Sequence, residues 1–291
     1  MRKCDFFIVG APKCGTTSLA KYLDSHPQIC MSRPKETNYF SYQYIVAQNL
    51  YYEKPSIVTA EQYQQAFSHA TCNSVLGEGS VSYLYYEGVA QRIYAHNPNA
   101  KIIISLRNPV DRAFSHYLMD KRIGHISATI EEVFTKPDIF TKHYQQYFLL
   151  GRYYEQIKRY IDTFSANQVM VIWDHQLRND HKNTLELICE FLEVASNENL
   201  YSGKVHNQYK SPKNSLIAKL YESQSARNAA RLLPAKTQSF LKKSLFSSQD
   251  KPSLSNDFRA RVENYYQKDL EKLSLLLSDK HPLTWIHSQC E

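Results

Sequence analysis

Asp5-Phe6-Phe7-Ile8-Val9-Gly10-Ala11-Pro12-Lys13-Cys14-Gly15-Thr16-Thr17-Ser18-Leu19 is the stretch on which the fold turns. Residues 6–9 are continuously apolar, the pattern of a strand buried on both faces of a parallel sheet. Residues 10–15 read as a loop. Thr16 or Thr17 then reads as the cap of a helix whose Leu19, Tyr22 and Leu23 share a face, ending near His26-Pro27. Backbone amides at a helix start, with the hydroxyls of Thr16, Thr17 and Ser18, make a phosphate cradle.

The same alternation continues outward. Strands are predicted over 28–31, 74–78, 101–106 and 169–173, with a polar loop, 32–36, after the first of these. Helices are predicted over 88–96, 153–164 and 180–194, and from Pro109 with Ala113, Phe114, Tyr117 and Leu118. Thr59-x-x-Gln62 and Thr129-x-x-Glu132 are capping-box patterns. Strands alternating with helices predict an α/β fold: a central parallel sheet with right-handed crossovers, a P-loop-like phosphate-binding loop and flanking helices. A helix over 257–277, with Phe258, Val262, Tyr265, Leu270, Leu273 and Leu277 as its apolar stripe, gives a helical C-terminal part. No linker divides the chain, so one domain over 1–291 is expected.

Hydrophobic residues make up 43% of the 291, enough for a sizeable core, and 22% charged residues without low-complexity tracts argue against disorder. The net charge of +7 suits an anionic ligand, but no basic run resembles a nucleic-acid arm. The six cysteines form no C-x-x-C pair, which argues against a disulfide framework or zinc site. No stretch approaches the roughly 18 apolar residues of a membrane span, and no stem precedes the first strand. A soluble protein of a reducing compartment, the cytoplasm, is expected.

The glycines at 10 and 15 have Walker A spacing, but Thr16 stands where the lysine should be and the lysine has moved to position 13. That shortens the reach of the ammonium and suits a donor with one phosphate and one terminal group. The strand over 101–106 ends in Arg107, not in an Asp that could hold Mg²⁺. Arg107 supplies a fork for a dianionic phosphate, and Ser115, one turn into the next helix, adds a hydroxyl. Two phosphate sites on one sheet edge are what a 3′,5′-bisphosphorylated nucleotide requires.

Ala11-Pro12-Lys13-Cys14-Gly15-Thr16-Thr17-Ser18-Leu19 resembles the 5′-phosphosulfate loop of sulfotransferases that use 3′-phosphoadenosine 5′-phosphosulfate (PAPS). Ser105-Leu106-Arg107-Asn108-Pro109-Val110-Asp111-Arg112-Ala113-Phe114-Ser115-His116-Tyr117 is similar to the family's 3′-phosphate motif. Gly151-Arg152-Tyr153-Tyr154 and the closing Pro282-Leu283-Thr284-Trp285 also resemble the family. The resemblance implies PAPS as co-substrate, held by Lys13, Cys14, Gly15, Thr16, Thr17, Ser18, Arg107 and Ser115. Lys210, with Lys213, is assigned to a late loop closing over the nucleotide, a solvated basic loop being the alternative. The partner implied is a hydroxyl-bearing glycan or small molecule, not a nucleic acid.

Arg33-Pro34-Lys35-Glu36-Thr37-Asn38-Tyr39-Phe40-Ser41 resembles the segment of glycan sulfotransferases whose Glu acts as base, although Thr37-Asn38 replaces their Pro-His. Sulfuryl transfer needs a group to take the acceptor proton, and Glu36 is the candidate, with Lys13 at the leaving phosphate. His116 is the competing base, since another branch of the family uses a His. Gly77-Glu78-Gly79-Ser80-Val81-Ser82-Tyr83 resembles the acceptor-facing segment but lacks a Lys that several glycan-specific relatives carry. No metal is required. The rivals are a P-loop nucleoside or small-molecule kinase, with Asp174 as its only tempting Mg²⁺ ligand, and a catalytically silent nucleotide- or nucleic-acid-binding protein.

Overall fold

Strand β1 (Phe6–Gly10) lies near the middle of a five-stranded sheet. Its companions are β2 (Ile29–Met31), β3 (Val75–Glu78), β4 (Lys101–Leu106) and β5 (Val169–Trp173), in the order β2-β3-β1-β4-β5. All four pairings are parallel. The structure is a computed structural model that describes residues 2–52, 55–196 and 252–286, together with 211–212, 237 and 246–247. Lys210 and Lys213 lie outside the described residues.

Both faces of the sheet are covered. Phe7, Val9, Ile102 and Ile104 face a core shared with α4 (Val89–His96), α5 (Pro109–Arg122) and α8 (Tyr153–Thr163). Phe6, Ile8 and Ile103 face a second core with α1 (Thr16–Asp24) and α10 (His181–Phe191). Successive side chains of a strand point to opposite faces. Burial on both faces therefore makes these strands read as unbroken apolar runs. Each buried Phe or Ile contributes about 1.5–3 kcal/mol.

Between these elements lie α2 (Tyr42–Gln48), α3 (Ala60–Gln65), α6 (Ile130–Thr135), α7 (Thr141–Tyr147) and α9 (Asp174–Asn179). Both capping boxes form, at Thr59 and Gln62 and at Thr129 and Glu132. Several expectations are corrected. The cap of α1 is Gly15 at φ 80°, not Thr16 or Thr17, because the loop enters the helix through a left-handed residue. The helix expected over 180–194 is α10, capped at Asp180 as expected but ending at Phe191, and the short α9 precedes it. The last helix, α11 (Asn256–Leu277), buries Tyr266 rather than Tyr265. Phe258, Val262, Tyr266 and Leu270 fall four residues apart and keep to one side, whereas Tyr265 is rotated about 100° off that line.

Candidate active site

Every strand of the sheet points the same way, so the loops that follow β1, β2, β3, β4 and β5 emerge along one edge. The chain leaves β1 toward β2 on one side of the sheet, and leaves β4 toward β5 on the other. The crevice between β1 and β4 is therefore the topological switch point, where open α/β sheets bind ligands.

The loop after β1 is fastened to β4. Ala11 N donates to Ser105 O (2.7 Å), and Ser105 Oγ donates to Cys14 O (2.5 Å). Gly10 lies so close to Leu84 that a Cβ would come within 2.7 Å of it, so a larger residue would force the loop or Leu84 to shift. Lys13 sits in the left-handed region at φ 71°, a conformation costing about 1–3 kcal/mol for a residue with a side chain. The amides of Gly15, Thr16 and Thr17 donate to no backbone carbonyl among the described residues. With α1 behind them they form an anion cradle. Thr16 is buried, while Thr17 and Ser18 are half-buried. Cys14 is buried, its thiol 3.9 Å from the Tyr153 hydroxyl and raised to about 12 by burial. Only its backbone is available to a ligand, which the sequence does not reveal.

Lys13 Nζ reaches across to α5, 3.4 Å from Met119 Sδ. Burial lowers its pKa to about 8; Arg122, Arg107 and Arg112 push the same way and Asp120 opposes them. Ser115 is four residues before Met119, so the two share a helix face. Its hydroxyl lies nearly two turns into α5, about 9 Å beyond Pro109, rather than the one turn expected. Arg107 follows β4 directly, and Asn108 caps α5 by accepting from Val110 N and Asp111 N. Tyr153 donates its hydroxyl to Arg107 O (2.9 Å), and the C-terminal turn brings Trp285 against Tyr153 and Trp173. Asp174 is buried at 7% exposure and engaged by Arg178, with Arg107 Nε at 3.7 Å.

His116 is enclosed in a chain of hydrogen bonds. Arg112 has only donors, so its Nη1 donates to His116 Nδ1 (3.4 Å). Nε2–H then donates to the Tyr52 oxygen (2.8 Å), and Tyr52 donates to Asp120 Oδ2 (2.7 Å). Tyr51 (2.8 Å) and Tyr147 (2.9 Å) donate to the same carboxylate oxygen. Burial, then Arg112 and Lys13, hold the imidazole well below its ordinary pKa. In this arrangement the Nδ1 lone pair is taken by Arg112 and Nε2 carries the hydrogen, so neither nitrogen is free to take a proton. The Tyr51, Tyr52 and Asp120 cluster lies beside Lys13 and was not legible in the sequence, where 41–60 carried no pattern.

Glu36 is exposed in the loop after β2, with Lys35 Nζ at 3.1 Å. Lys35 lies across Gly79, where a Cβ would come within 3.2 Å of its Cε. The segment after β3, which lacks a Lys of its own, is thus covered by a lysine from the neighbouring loop. The rest of the Glu36 loop is anchored on Glu78, fully buried at the end of β3. Glu78 Oε1 accepts from Thr37, from Ser80 (2.6 Å) and from Tyr83 (2.7 Å), and Oε2 accepts from Tyr63 (2.9 Å). Burial raises its pKa, and these four hydroxyls oppose the rise. Ser80 Oγ in turn accepts from Asn38 N (3.0 Å), and Tyr83 OH from Phe40 N (3.2 Å). Only β3 separates β2 from β1, so the Glu36 and Lys13 loops start about 10 Å apart.

A parallel sheet, a glycine-bounded anion loop without a Walker lysine, and a guanidinium at the end of the neighbouring strand define a nucleotide-dependent transferase of the P-loop-like class. The family model for the sulfotransferase domain matches residues 3–274, and the chain belongs to that family. Its members are enzymes that use PAPS as co-substrate, which sets aside the kinase reading. A solved sulfotransferase from Alicyclobacillus acidocaldarius is 28% identical, with a TM-score of 0.72 over 98% of this chain and 99% of that one. A mouse sulfotransferase complexed with PAP shares the fold at 17% identity and a TM-score of 0.52, over 99% of this chain and 90% of that one. The bifunctional heparan sulfate N-deacetylase/N-sulfotransferase 1 of Xenopus tropicalis is 30% identical over 206 residues, 67% of this chain and 23% of that protein. The chain thus spans about a quarter of the length of the curated relatives it matches first. No helix among the described residues is long and apolar enough to cross a membrane.

Proposed function

We propose that the chain, as one domain over 1–291, transfers a sulfuryl group from PAPS to a hydroxyl of a carbohydrate or small-molecule acceptor. The observation that carries this is the shared sheet edge of the Lys13 loop, Arg107 and the Glu36 loop. The amides of Gly15, Thr16 and Thr17, with the hydroxyls of Thr16, Thr17 and Ser18, bind the 5′-phosphate. Arg107 and Ser115 bind the 3′-phosphate. Glu36 removes the acceptor proton as the new S–O bond forms and the bond from sulfur to the 5′-phosphate oxygen breaks. Lys13 stabilises the charge gathering on that oxygen, where a preorganised donor acts most strongly in the transition state. Metal takes no part in these steps. The cytoplasm is proposed as the location, supported by the free thiols of Cys4, Cys14, Cys30, Cys72 and Cys189.

The curated relatives are named N-sulfotransferases, which favours a second reading in which the accepting group is an amine. One experiment tests both. Incubation of acceptor pools with labelled PAPS, followed by mass spectrometry of the product, locates the sulfo group on oxygen or nitrogen. In parallel, calorimetry is expected to give tight binding of 3′-phosphoadenosine 5′-phosphate and weak binding of AMP and ATP-Mg²⁺. Equal affinity for all three would remove the donor assignment.

A further inference from the structure

Leu106 and Trp173 are paired at the ends of β4 and β5, so Arg107 and Asp174 follow side by side at the sheet edge. The Asp174 carboxylate, 7% exposed, lies 3.7 Å from Arg107 Nε through Oδ2, and the same oxygen receives Arg178 from one turn along α9. Arg107 Nε is buried and has no hydrogen-bond partner among the described residues. The main chain of Arg107 is held independently by the Tyr153 hydroxyl. Two guanidiniums around one carboxylate leave the trio with a net charge of about +1. The edge therefore still attracts an anion, although it contains a buried acid.

We propose that Asp174 is a positioning residue for recognition of the nucleotide 3′-phosphate. It holds Arg107 from the Nε side, so that the terminal nitrogens are turned to the crevice, and Arg178 cancels the charge that would otherwise repel the phosphate. This rests on Arg107 being the 3′-phosphate ligand. A long Arg side chain loses much rotamer freedom when it is fixed by a ligand, and a partner that fixes it beforehand lowers that cost. A carboxylate competing with the phosphate would instead be expected to lie across the terminal nitrogens, not at Nε.

The test is the ratio of affinities for 3′-phosphoadenosine 5′-phosphate and AMP, measured by calorimetry on the full chain. Asp174→Asn is expected to weaken the bisphosphate about tenfold, through loss of the carboxylate charge that orients Arg107. AMP should change less than about twofold, because it lacks the phosphate that Arg107 binds. Asp174→Glu should recover part of the ratio. Arg178→Gln, at a half-exposed position, should lower the ratio in the same direction and carries the test if Asp174→Asn does not fold. An unchanged or tighter bisphosphate affinity in Asp174→Asn overturns the proposal, as does an equal loss for both nucleotides, which would mark general damage. A wild-type protein without preference for the bisphosphate instead removes the Arg107 assignment itself.

Discussion

Raising the pH through the titration of Lys13 is expected to weaken binding of 3′-phosphoadenosine 5′-phosphate. Burial and the surrounding guanidiniums lower this ammonium to about 8 in the ligand-free protein. A phosphate dianion against Nζ raises it again, so binding takes up a proton once the pH exceeds that value. With one linked proton, affinity falls about twofold from its plateau at pH 8 and about tenfold at pH 9, a loss of about 1.4 kcal/mol. The phosphates finish their second ionisation near pH 6, and burial raises Cys14 to about 12, so neither titrates in this window. Calorimetry in two buffers of different ionisation enthalpy, at pH 7, 8 and 9, measures both the affinity and the proton uptake. Lys13→Met should bind more weakly at pH 7 and lose the slope above pH 8. A flat profile in the wild type, or an identical slope in Lys13→Met, would refute the assignment of Lys13 to the phosphate.

The same group has an opposite effect on the empty protein. Its pKa is lower folded than unfolded, so the unfolded chain binds more protons between about pH 8 and pH 10.5, and stability rises with pH there. Lys13→Met should therefore stabilise the ligand-free protein at pH 7 by about 1–3 kcal/mol, seen as a higher Tm that converges with the wild type near pH 10.5. Glu36→Gln should keep the fold and nucleotide affinity while lowering sulfuryl transfer about 10²–10⁴-fold in a single-turnover assay. His116→Asn should cost less activity than Glu36→Gln with the same acceptor; the reverse order would move the base to α5. Gly10→Ala should lower the Tm through its 2.7 Å approach to Leu84, and an unchanged Tm would mean that the loop can shift aside.

The elements of the proposed donor half were legible because their residues are neighbours along the chain. Strand, loop and helix are written between residues 5 and 24 in local terms: an apolar run, two glycines and a helical period. Arg107, Asn108, Pro109 and Ser115 likewise belong to one strand end and the helix it feeds. The acceptor half was not legible. Glu36 could be selected by resemblance and by its place after a strand, but the buried Glu78 that anchors its loop reads in sequence as an ordinary strand-end acid.

The sequence by itself determined the parallel sheet, the strand-loop-helix unit at its centre and the residues at the strand ends. Local propensity and burial on two faces set these, and both leave a periodic trace in the chain. Only the tertiary structure decided which side chains meet there. Lys13 touches Met119 across 106 positions, Tyr52 meets Asp120 across 68, and Asp174 stands beside Arg107 because β5 pairs with β4. It also decided that Tyr266 rather than Tyr265 is buried, and that His116 is enclosed rather than free. Periodicity reports which side of an element is apolar. It does not report its neighbours, and the behaviour of a buried charge depends on those neighbours.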